Sequence, residues 1–264
     1  MKPFSTLLDS PAPVIGTWSQ FASPEVIDIL GGSGFAFTIV DTEHGHFGLE
    51  TAENLVRACD AAGLVPIVRI PANEGYMIAK ALDIGAAAVL IPKISSAAEA
   101  ERAVRAARYG PQGSRGACPC IRAGNHYVRD WRRFAADAND VGGAGIIALI
   151  ETPEGVEAID AILAVPGLQA VLTGPFDLAV TMGLDGDTAH PRIIEALQHV
   201  VAASVRHKIP MILPLFQPDA DDCRRLMHEW QRLGVRLFTV GTDKLLFADY
   251  CSRYNQELRA DAKD

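Results

Sequence analysis

Charged and polar residues with the chemistry of an active site follow four separate apolar segments of the chain. The first segment, residues 35–40, ends in Asp41-Thr42-Glu43-His44-Gly45. The others end in Arg69, in Glu151 and in Gly174-Pro175-Phe176-Asp177. Such apolar runs are typical of strands buried on both faces of a parallel sheet, and α/β enzymes place functional groups at the carboxyl ends of these strands. We therefore expect these residues to meet at one edge of the fold.

Glu151 and Asp177 are the candidate metal ligands. Two carboxylates in a confined site repel each other, and a shared proton or a divalent cation relieves the repulsion. Carboxylate oxygens favour Mg²⁺ or Mn²⁺, with water and substrate completing the coordination. The structural alternative for each residue alone is to cap the helix that follows it. The presence of both carboxylates beside an arginine and a histidine favours the metal site.

Arg69 and His44 are the groups that would act beside such an ion. A guanidinium at the end of a buried strand needs an anionic partner, either a substrate oxygen or, structurally, Asp41 or Glu43. The His44 imidazole, oriented by Asp41, is a candidate for proton transfer through water, although a lone histidine is more often structural. No histidine follows the fifth or sixth predicted strand, which argues against a histidine-ligated zinc site.

Eight short apolar segments alternate with helical patterns along the chain. A strand followed by a helix eight times over predicts a single (β/α)8 TIM barrel of the α/β class over residues 1–264. The alternative, a doubly wound open sheet, would carry a glycine-rich phosphate motif after its first strand, and none is present. The predicted strands are Val14–Trp18, Phe35–Asp41, Leu64–Arg69, Ala87–Pro92, Gly145–Glu151, Leu168–Gly174, Ile209–Pro214 and Arg236–Gly241.

Two segments do not fit this repeat. The connection from Tyr109 to Gly143 is longer than most barrel loops, so we expect a lid over the active face or a contact between subunits. Most of its arginines are expected to be solvated or at that contact, while Arg115 and Arg122 could face an anion on the carboxyl side of a strand. Residues 127–139 predict an amphipathic helix. Residues 244–264 predict a terminal helix that caps its own barrel or docks on a neighbour.

The composition argues against several other classes of protein. The 264 residues carry a formal net charge of −8 without a sustained basic run, so we expect no nucleic-acid or membrane partner. No segment approaches a membrane span, and the first residues lack the apolar core of a signal peptide. The five cysteines show no zinc or redox spacing, so we expect a reduced, cytoplasmic enzyme.

In combination, the motifs resemble those of the HpcH/HpaI family of class II, metal-dependent pyruvate aldolases. The resemblance covers nearly the whole chain. The segments that carry it are Asp41-Thr42-Glu43-His44-Gly45, Val68-Arg69-Ile70-Pro71, the loop from Tyr109 to Gly116, Ile150-Glu151-Thr152, Gly174-Pro175-Phe176-Asp177-Leu178 and Val240-Gly241-Thr242-Asp243.

The resemblance implies a metal centre and a set of catalytic residues. Glu151 and Asp177 would bind Mg²⁺, Mn²⁺ or Co²⁺, and pyruvate would bind the ion through its carboxylate and keto oxygens. Arg69 would stabilise the enolate, and His44, paired with Asp41, would transfer the proton through water. The implied reaction is reversible cleavage of a 4-hydroxy-2-oxo acid to pyruvate and an aldehyde.

The resemblance also implies substrate contacts and an assembly. The last helix would be exchanged between the subunits of a homo-oligomer, commonly a hexamer, and Asp83 matches a position that reaches a neighbour's site. Leu149 stands where glutamine is frequent, and Phe176 replaces a small residue and should narrow the pocket. The residues implied in substrate binding are Arg69, Gly174, Pro175, Phe176 and Asp83.

Three alternative activities remain open at this point. An oxaloacetate decarboxylase or a citrate-lyase-like acyl-CoA lyase would use the same enolate chemistry, and a non-catalytic barrel could bind a keto acid without turning it over. A Schiff-base aldolase would need a desolvated lysine at a strand end. Lys93 is the lysine nearest to that description, and we expect it to be solvated.

Overall fold

Eight parallel strands form a closed barrel in a computed structural model that describes residues 2–140 and 143–260. Each strand pairs with the next along the chain, and the last pairs with the first, which confirms the predicted (β/α)8 architecture. Residues 1, 141–142 and 261–264, which the single-domain prediction also covers, lie outside the described residues. The strands are β1 Val14–Ser19, β2 Phe37–Asp41, β3 Val65–Arg69, β4 Ala88–Ile91, β5 Gly145–Ile150, β6 Ala170–Thr173, β7 Met211–Leu215 and β8 Leu237–Thr242.

A helix follows each strand, as predicted. Pro153 in the sequence predicts the start of a helix that reaches Leu163. The structure divides this segment into two short helices that meet at Ala158, which donates to the Glu154 carbonyl oxygen and accepts from the Ile162 N–H. A 3₁₀ turn at Phe4–Leu7 was not predicted. The helices are α1 Pro24–Gly32, α2 Leu49–Ala62, α3 Gly75–Asp83, α4 Ala97–Ala107, α5 Trp131–Asn139, α6 Pro153–Glu157, α7 Ile159–Leu163, α8 Pro175–Thr181, α9 Pro191–His207, α10 Ala220–Gln231 and α11 Asp243–Ala260.

Two apolar layers hold the barrel and its helices together. Side chains alternate along a strand, so Phe37 and Ile39 belong to the cluster that fills the barrel, while Val40 belongs to the layer under the helices. Phe4 and Leu7 of the 3₁₀ turn pack into the interior cluster just before β1 begins. The core therefore occupies the barrel, and polar residues are left to the carboxyl ends of the strands.

The long connection lies at the end of the barrel opposite to these polar strand ends. The connection follows the helix α4. Each helix of this fold runs from the carboxyl end of one strand back to the amino end of the next, so a segment after a helix lies at the amino ends of the strands. Arg115 Nη2 lies 2.7 Å from Asp83 Oδ1 at the end of α3, and Arg122 donates to the Ile84 carbonyl oxygen at 2.9 Å. The expectation that this connection covers the active face, with Arg115 and Arg122 on the carboxyl side of a strand, is wrong.

Within this connection, α5 begins at Trp131, four residues later than the sequence pattern predicted. The rings of Trp131 and Phe134 pack against Tyr109, with centroids 4.9 and 6.1 Å from the tyrosine ring. The predicted apolar face of this helix therefore packs against Tyr109 at the start of the connection.

The terminal helix α11 leaves the barrel soon after it begins. It contacts β1 and β8, but from Leu246 to Ala260 nearly every residue is exposed. It does not cap its own barrel, and the predicted exchange between subunits stays a prediction. None of the described helices is long and apolar enough to cross a membrane. The exposed apolar side chains of α11 are Leu246, Phe247, Tyr250, Tyr254 and Leu258.

The barrel interior predicts an asymmetry between two glycines. A Cβ at Gly16 in β1 would lie 2.5 Å from the Phe37 ring, whereas a Cβ at Gly32 in α1 meets nothing within 4 Å. We expect Gly16→Ala to lower the free energy of unfolding by about 1–3 kcal/mol through overpacking. Gly32→Ala, the control, should leave it unchanged or raise it by up to about 1 kcal/mol. Urea unfolding measures both, and equal effects would contradict the packing described.

Candidate active site at the carboxyl end of the barrel

Asp41 and Arg69 form a buried ion pair at the carboxyl ends of β2 and β3. The two residues lie directly opposite each other in the strand register. Arg69 Nε donates to Asp41 Oδ1 at 2.8 Å, and Nη2 donates to Oδ2 at 2.6 Å. Asp41 is 0% exposed and Arg69 is 7% exposed. This two-point contact fixes the plane of the guanidinium.

Two further groups enclose the same guanidinium. The Arg69 Cζ lies 4.6 Å from the centre of the Trp18 ring, a cation–π contact, and Trp18 Nε1 donates to Thr239 Oγ1 at 3.0 Å. Glu43 Oε2 lies 3.1 Å from Nη1, within ion-pair distance but outside hydrogen-bonding geometry. Arg69 is therefore contacted on three sides. It forms ion pairs with both Asp41 and Glu43, which was the structural alternative to binding a substrate oxygen.

The two carboxylates beside Arg69 differ in pKa. Burial opposes ionisation of Asp41, but hydrogen bonds and charge from Arg69 outweigh it and hold the pKa below its ordinary value. Burial raises the pKa of Glu43, and the charge of Arg69 offsets only part of this effect. Asp41 is thus a fixed counter-charge, while Glu43 accepts a proton more readily.

Glu151 follows β5 and its carboxylate lies against two backbone segments. Its Oε1 accepts a hydrogen bond from the Lys93 backbone N–H at 2.9 Å, and Lys93 adopts a left-handed conformation with φ of 55°. A Cβ at Gly174 would lie 2.8 Å from Glu151 Oε2, so only glycine fits beneath this carboxylate. Thr152 caps α6 by accepting from the Gly155 N–H. Glu151 therefore does not cap that helix.

Asp177 lies in the first turn of α8, after the N-cap residue Gly174. It is exposed and is not the N-cap. Burial, followed by the charge of Asp177, raises the pKa of Glu151 to about 7. The negative charges of these two predicted ligands therefore interact, and the protein alone does not neutralise them.

His44 is near this cluster but is not oriented as predicted. Its backbone N–H, and not its ring, donates to Asp41 Oδ1 at 3.2 Å. Both oxygens of Asp41 are occupied by Arg69, so the predicted pairing of the Asp41 carboxylate with the His44 imidazole is wrong. The side chain of His44 is exposed, and its charge lowers the pKa of Glu43. The imidazole is thus exposed at the rim of the site.

The remaining predicted residues divide between the two ends of the barrel. Pro175 is the buried first residue of α8, and Phe176 is exposed, with its ring packed over Gly186. Asp83 lies at the opposite end, where it pairs with Arg115. Asp83 therefore does not reach the site of its own barrel.

Comparison with known proteins identifies the group to which this barrel belongs. A family model described as HpcH/HpaI aldolase/citrate lyase matches residues 14–248. The chain belongs to the HpcH/HpaI family. It is 36% identical over 233 residues to the 5-keto-4-deoxy-D-glucarate aldolase of Salmonella arizonae, which covers 88% of this chain and 87% of the relative. The resemblance that the motifs indicated is confirmed.

Solved structures support the same assignment. The HpcH/HpaI aldolase of Desulfitobacterium hafniense has a TM-score of 0.89 and 28% identity over 98% of this chain and 97% of that one. The citrate synthase SbnG has a TM-score of 0.87 and 27% identity over 99% of both chains. Proteins similar to this HpcH/HpaI barrel therefore include both an aldolase and a citrate synthase.

The donor set of this HpcH/HpaI barrel suits a hard divalent cation. Glu151 and Asp177 offer carboxylate oxygens, and the raised pKa of Glu151 indicates that negative charge is uncompensated there. Among residues 2–140 and 143–260, no group of three or more acidic, histidine or cysteine side chains could hold a metal ion. Glu151 and Asp177 therefore fit such a cation by the chemistry of their oxygen atoms.

Two residues of the site were missed from the sequence. Gln20, just after β1, donates from Nε2 to Asp41 Oδ2 at 2.8 Å, and Trp18 covers the face of Arg69. The signal was present, because the sequence Trp18-Ser19-Gln20 is a polar strand end like the other four. It was overlooked because none of these side chains is charged.

The raised pKa of Glu151 predicts how the stability of the metal-free protein depends on pH. Between pH 4.5 and about 7 the folded protein retains a proton that the unfolded chain releases, so stability falls as the pH rises. The side chain in Glu151→Gln does not ionise, so this variant should not lose stability in that pH range. Above pH 7 the variant should be the more stable protein, by about 3 kcal/mol at most, and near pH 4 the two should converge. Urea unfolding with a chelator checks this, and a difference independent of pH would contradict it.

Proposed function

We propose that this protein is a divalent-metal-dependent aldolase that reversibly cleaves a 4-hydroxy-2-oxo acid to pyruvate and an aldehyde. Membership of the HpcH/HpaI family makes it an aldolase-type carbon–carbon lyase. The single observation that carries the proposal is the convergence of the Asp41–Arg69 ion pair with the Glu151–Asp177 carboxylates at one end of the barrel. Anionic charge that develops on a substrate there would face a rigid guanidinium.

Glu151 and Asp177 are proposed to hold the metal ion, with Mg²⁺ or Mn²⁺ preferred and Co²⁺ as a further candidate. When bound, the ion supplies Lewis acidity to the keto acid and neutralises the charge of the two carboxylates. The Lys93 N–H holds Oε1 of Glu151, and Gly174 leaves room beside Oε2. The orientation of the first ligand is therefore set by the backbone before any ion binds.

Arg69 is proposed to stabilise the enolate. When the C3–C4 bond breaks, its electron pair forms the C2–C3 double bond of the pyruvate enolate and negative charge develops on the C2 oxygen. A guanidinium already fixed by Asp41 and Trp18 can stabilise that charge without reorganising. Asp41 serves the reaction through Arg69, and not through His44.

His44 is proposed to transfer protons at the rim of the site. In the cleavage direction the C4 hydroxyl must lose a proton to become the aldehyde carbonyl, and the enolate must then gain one at C3. An exposed imidazole at the rim can exchange protons with water on each turnover. Glu43, with its raised pKa and an oxygen that lacks a hydrogen bond, is placed to receive a proton from this region.

The proposed substrates are 4-hydroxy-2-oxo acids with a second acidic or hydroxylated end, such as 2-keto-3-deoxy sugar acids. The relative of 36% identity is a 5-keto-4-deoxy-D-glucarate aldolase, which supports this class. Gly174, Pro175 and Phe176 are proposed to line the pocket, with Phe176 limiting its width. A screen of aldehydes with pyruvate and Mg²⁺ or Mn²⁺, with products identified by mass, tests the class.

A second candidate is an acyl-CoA lyase or citrate-forming enzyme that uses the same enolate chemistry. It is favoured by the similarity of the whole chain to the citrate synthase SbnG. An oxaloacetate decarboxylase is a further form of the same chemistry. The products separate these activities, because the aldolase releases an aldehyde and the decarboxylase releases carbon dioxide. A keto-acid-binding barrel without turnover would release neither.

The proposed assembly is a homo-oligomer, with a hexamer as the specific form. Exposed apolar side chains along α11 support exchange of this helix, and the position of Asp83 supports a contribution to a neighbour's site. Light scattering on the purified protein tests the number of subunits. A cytoplasmic location stays a prediction.

Removal of either proposed metal ligand should abolish pyruvate release while the fold is retained. We expect Glu151→Ala and Asp177→Ala to lose Mn²⁺ binding in calorimetry, because each variant removes one of the two proposed ligands. Asp28→Ala, at an exposed position of α1, is the control and should be fully active. A chelator should abolish activity of the parent and Mn²⁺ should restore it. Full activity without metal would refute the site.

His44→Ala should spare metal binding and slow proton exchange at C3 of pyruvate. We expect a loss of about 10²-fold or more, as is usual when a general acid–base is removed. Proton NMR of pyruvate in D₂O with Mg²⁺ measures the exchange. His46→Ala, two residues along the same loop and also exposed, is the control. If exchange in His44→Ala proceeds at the parent rate, another group is the base.

A further inference from the structure

The Asp41–Arg69 ion pair is tied by hydrogen bonds to the start of the terminal helix. We propose that Gln20 and Asp243 are positioning residues that set the orientation of Arg69, so that enolate formation depends on the anchorage of α11. This inference rests on the proposed function, because it assumes that Arg69 acts on the enolate. Neither residue belongs to the metal site or contacts it.

Asp243 links two segments that are distant in the sequence. Its carboxylate accepts hydrogen bonds from the backbone N–H groups of Gln20, at 2.9 and 3.0 Å, of Phe21, at 2.9 Å, and of Lys244, at 2.7 Å. The residue is 4% exposed. The loop after β1 is therefore held against the first turn of α11 by one buried side chain.

Gln20 carries this link into the active site. Its backbone N–H is bound by Asp243, and its side-chain Nε2 donates to Asp41 Oδ2 at 2.8 Å. The same oxygen accepts from Arg69 Nη2 at 2.6 Å. A shift of the Gln20 backbone would thus remove one of the two donors that locate this oxygen, and Asp41 would hold the guanidinium less firmly in its orientation.

The role of Asp243 is not explained by the start of α11 alone. Thr242 already provides a helix-starting hydrogen bond, since its Oγ1 accepts from the Leu245 N–H at 3.0 Å. The bonds from Asp243 to Gln20 and Phe21 run to another element. Burying a carboxylate is costly unless its partners are well placed, so these cross-element bonds point to a positioning role.

The test is the rate of C3 proton exchange of saturating pyruvate in D₂O with Mg²⁺, measured on the full-length chain. We expect Gln20→Leu to lower this rate by about 10-fold with Mn²⁺ affinity unchanged, while the loss of one hydrogen bond to a buried charged group should also lower the thermal midpoint. Asp243→Asn should cause a similar loss, and Asp243→Glu, which keeps the charge, should recover most of it. Asp249→Asn, which removes a carboxylate paired with Arg253 on the same helix, is the control and should match the parent.

The decisive comparison uses Arg69→Ala, which should itself lower the rate by about 10²-fold. Added to Arg69→Ala, neither Gln20→Leu nor Asp243→Asn should lower the rate further, because both act through the guanidinium. A loss of the same factor in both backgrounds would overturn the inference, as would a parent-like rate in Gln20→Leu. A parent-like rate in Arg69→Ala would instead refute the proposed role of Arg69, and the positioning role with it.

Discussion

The buried pairing of Asp41 with Arg69 is the interaction on which the active end of this barrel depends. Strand register places the two side chains opposite each other, and both are buried. Loss of one partner from such a pair generally costs about 3–5 kcal/mol, because the other charge is left buried alone. Trp18, Glu43 and Gln20 are all arranged around this pair. The guanidinium is held in one orientation because Asp41 binds it at two points and the Trp18 ring covers its face.

A surplus of negative charge is the second constraint at this end. Asp41 and Glu43 form ion pairs with one buried guanidinium, and Glu151 interacts with the charges of Arg69 and Asp177. The pKa values of Glu43 and Glu151 are raised by burial and by neighbouring carboxylates. Such a site is disposed to bind a cation before it binds an anionic substrate. The arginine-rich connection could have compensated this charge, but Arg115 pairs with Asp83 of α3 and Arg122 pairs with Asp60 of α2. The candidate active site therefore lies at one end of the barrel, and these arginine contacts lie at the other.

The sequence by itself determined the architecture and most of the candidate site. Eight apolar runs of strand length, separated by helical patterns, admit few arrangements, and the carboxyl ends of parallel strands must then meet. Asp41, Arg69, Glu151 and Asp177 were identified because each is a charged residue directly after an apolar run. The family followed from the same motifs. These features are local or periodic, so they can be recognised in the sequence before the chain is folded.

Only the tertiary structure decided which groups contact each other. Asp41 binds the guanidinium of Arg69 because strand register places the two residues opposite each other, whereas His44 donates to Asp41 through its backbone N–H. Gln20 lies just after the neighbouring strand β1 and donates to Asp41. Its amide is uncharged, so the sequence alone did not identify it as a candidate. The length of the long connection suggested a lid over the carboxyl ends of the strands. Its position after the helix α4 places it instead at their amino ends. Hydrogen-bond partners and loop positions depend on register and closure, which arise only when all eight strands are paired.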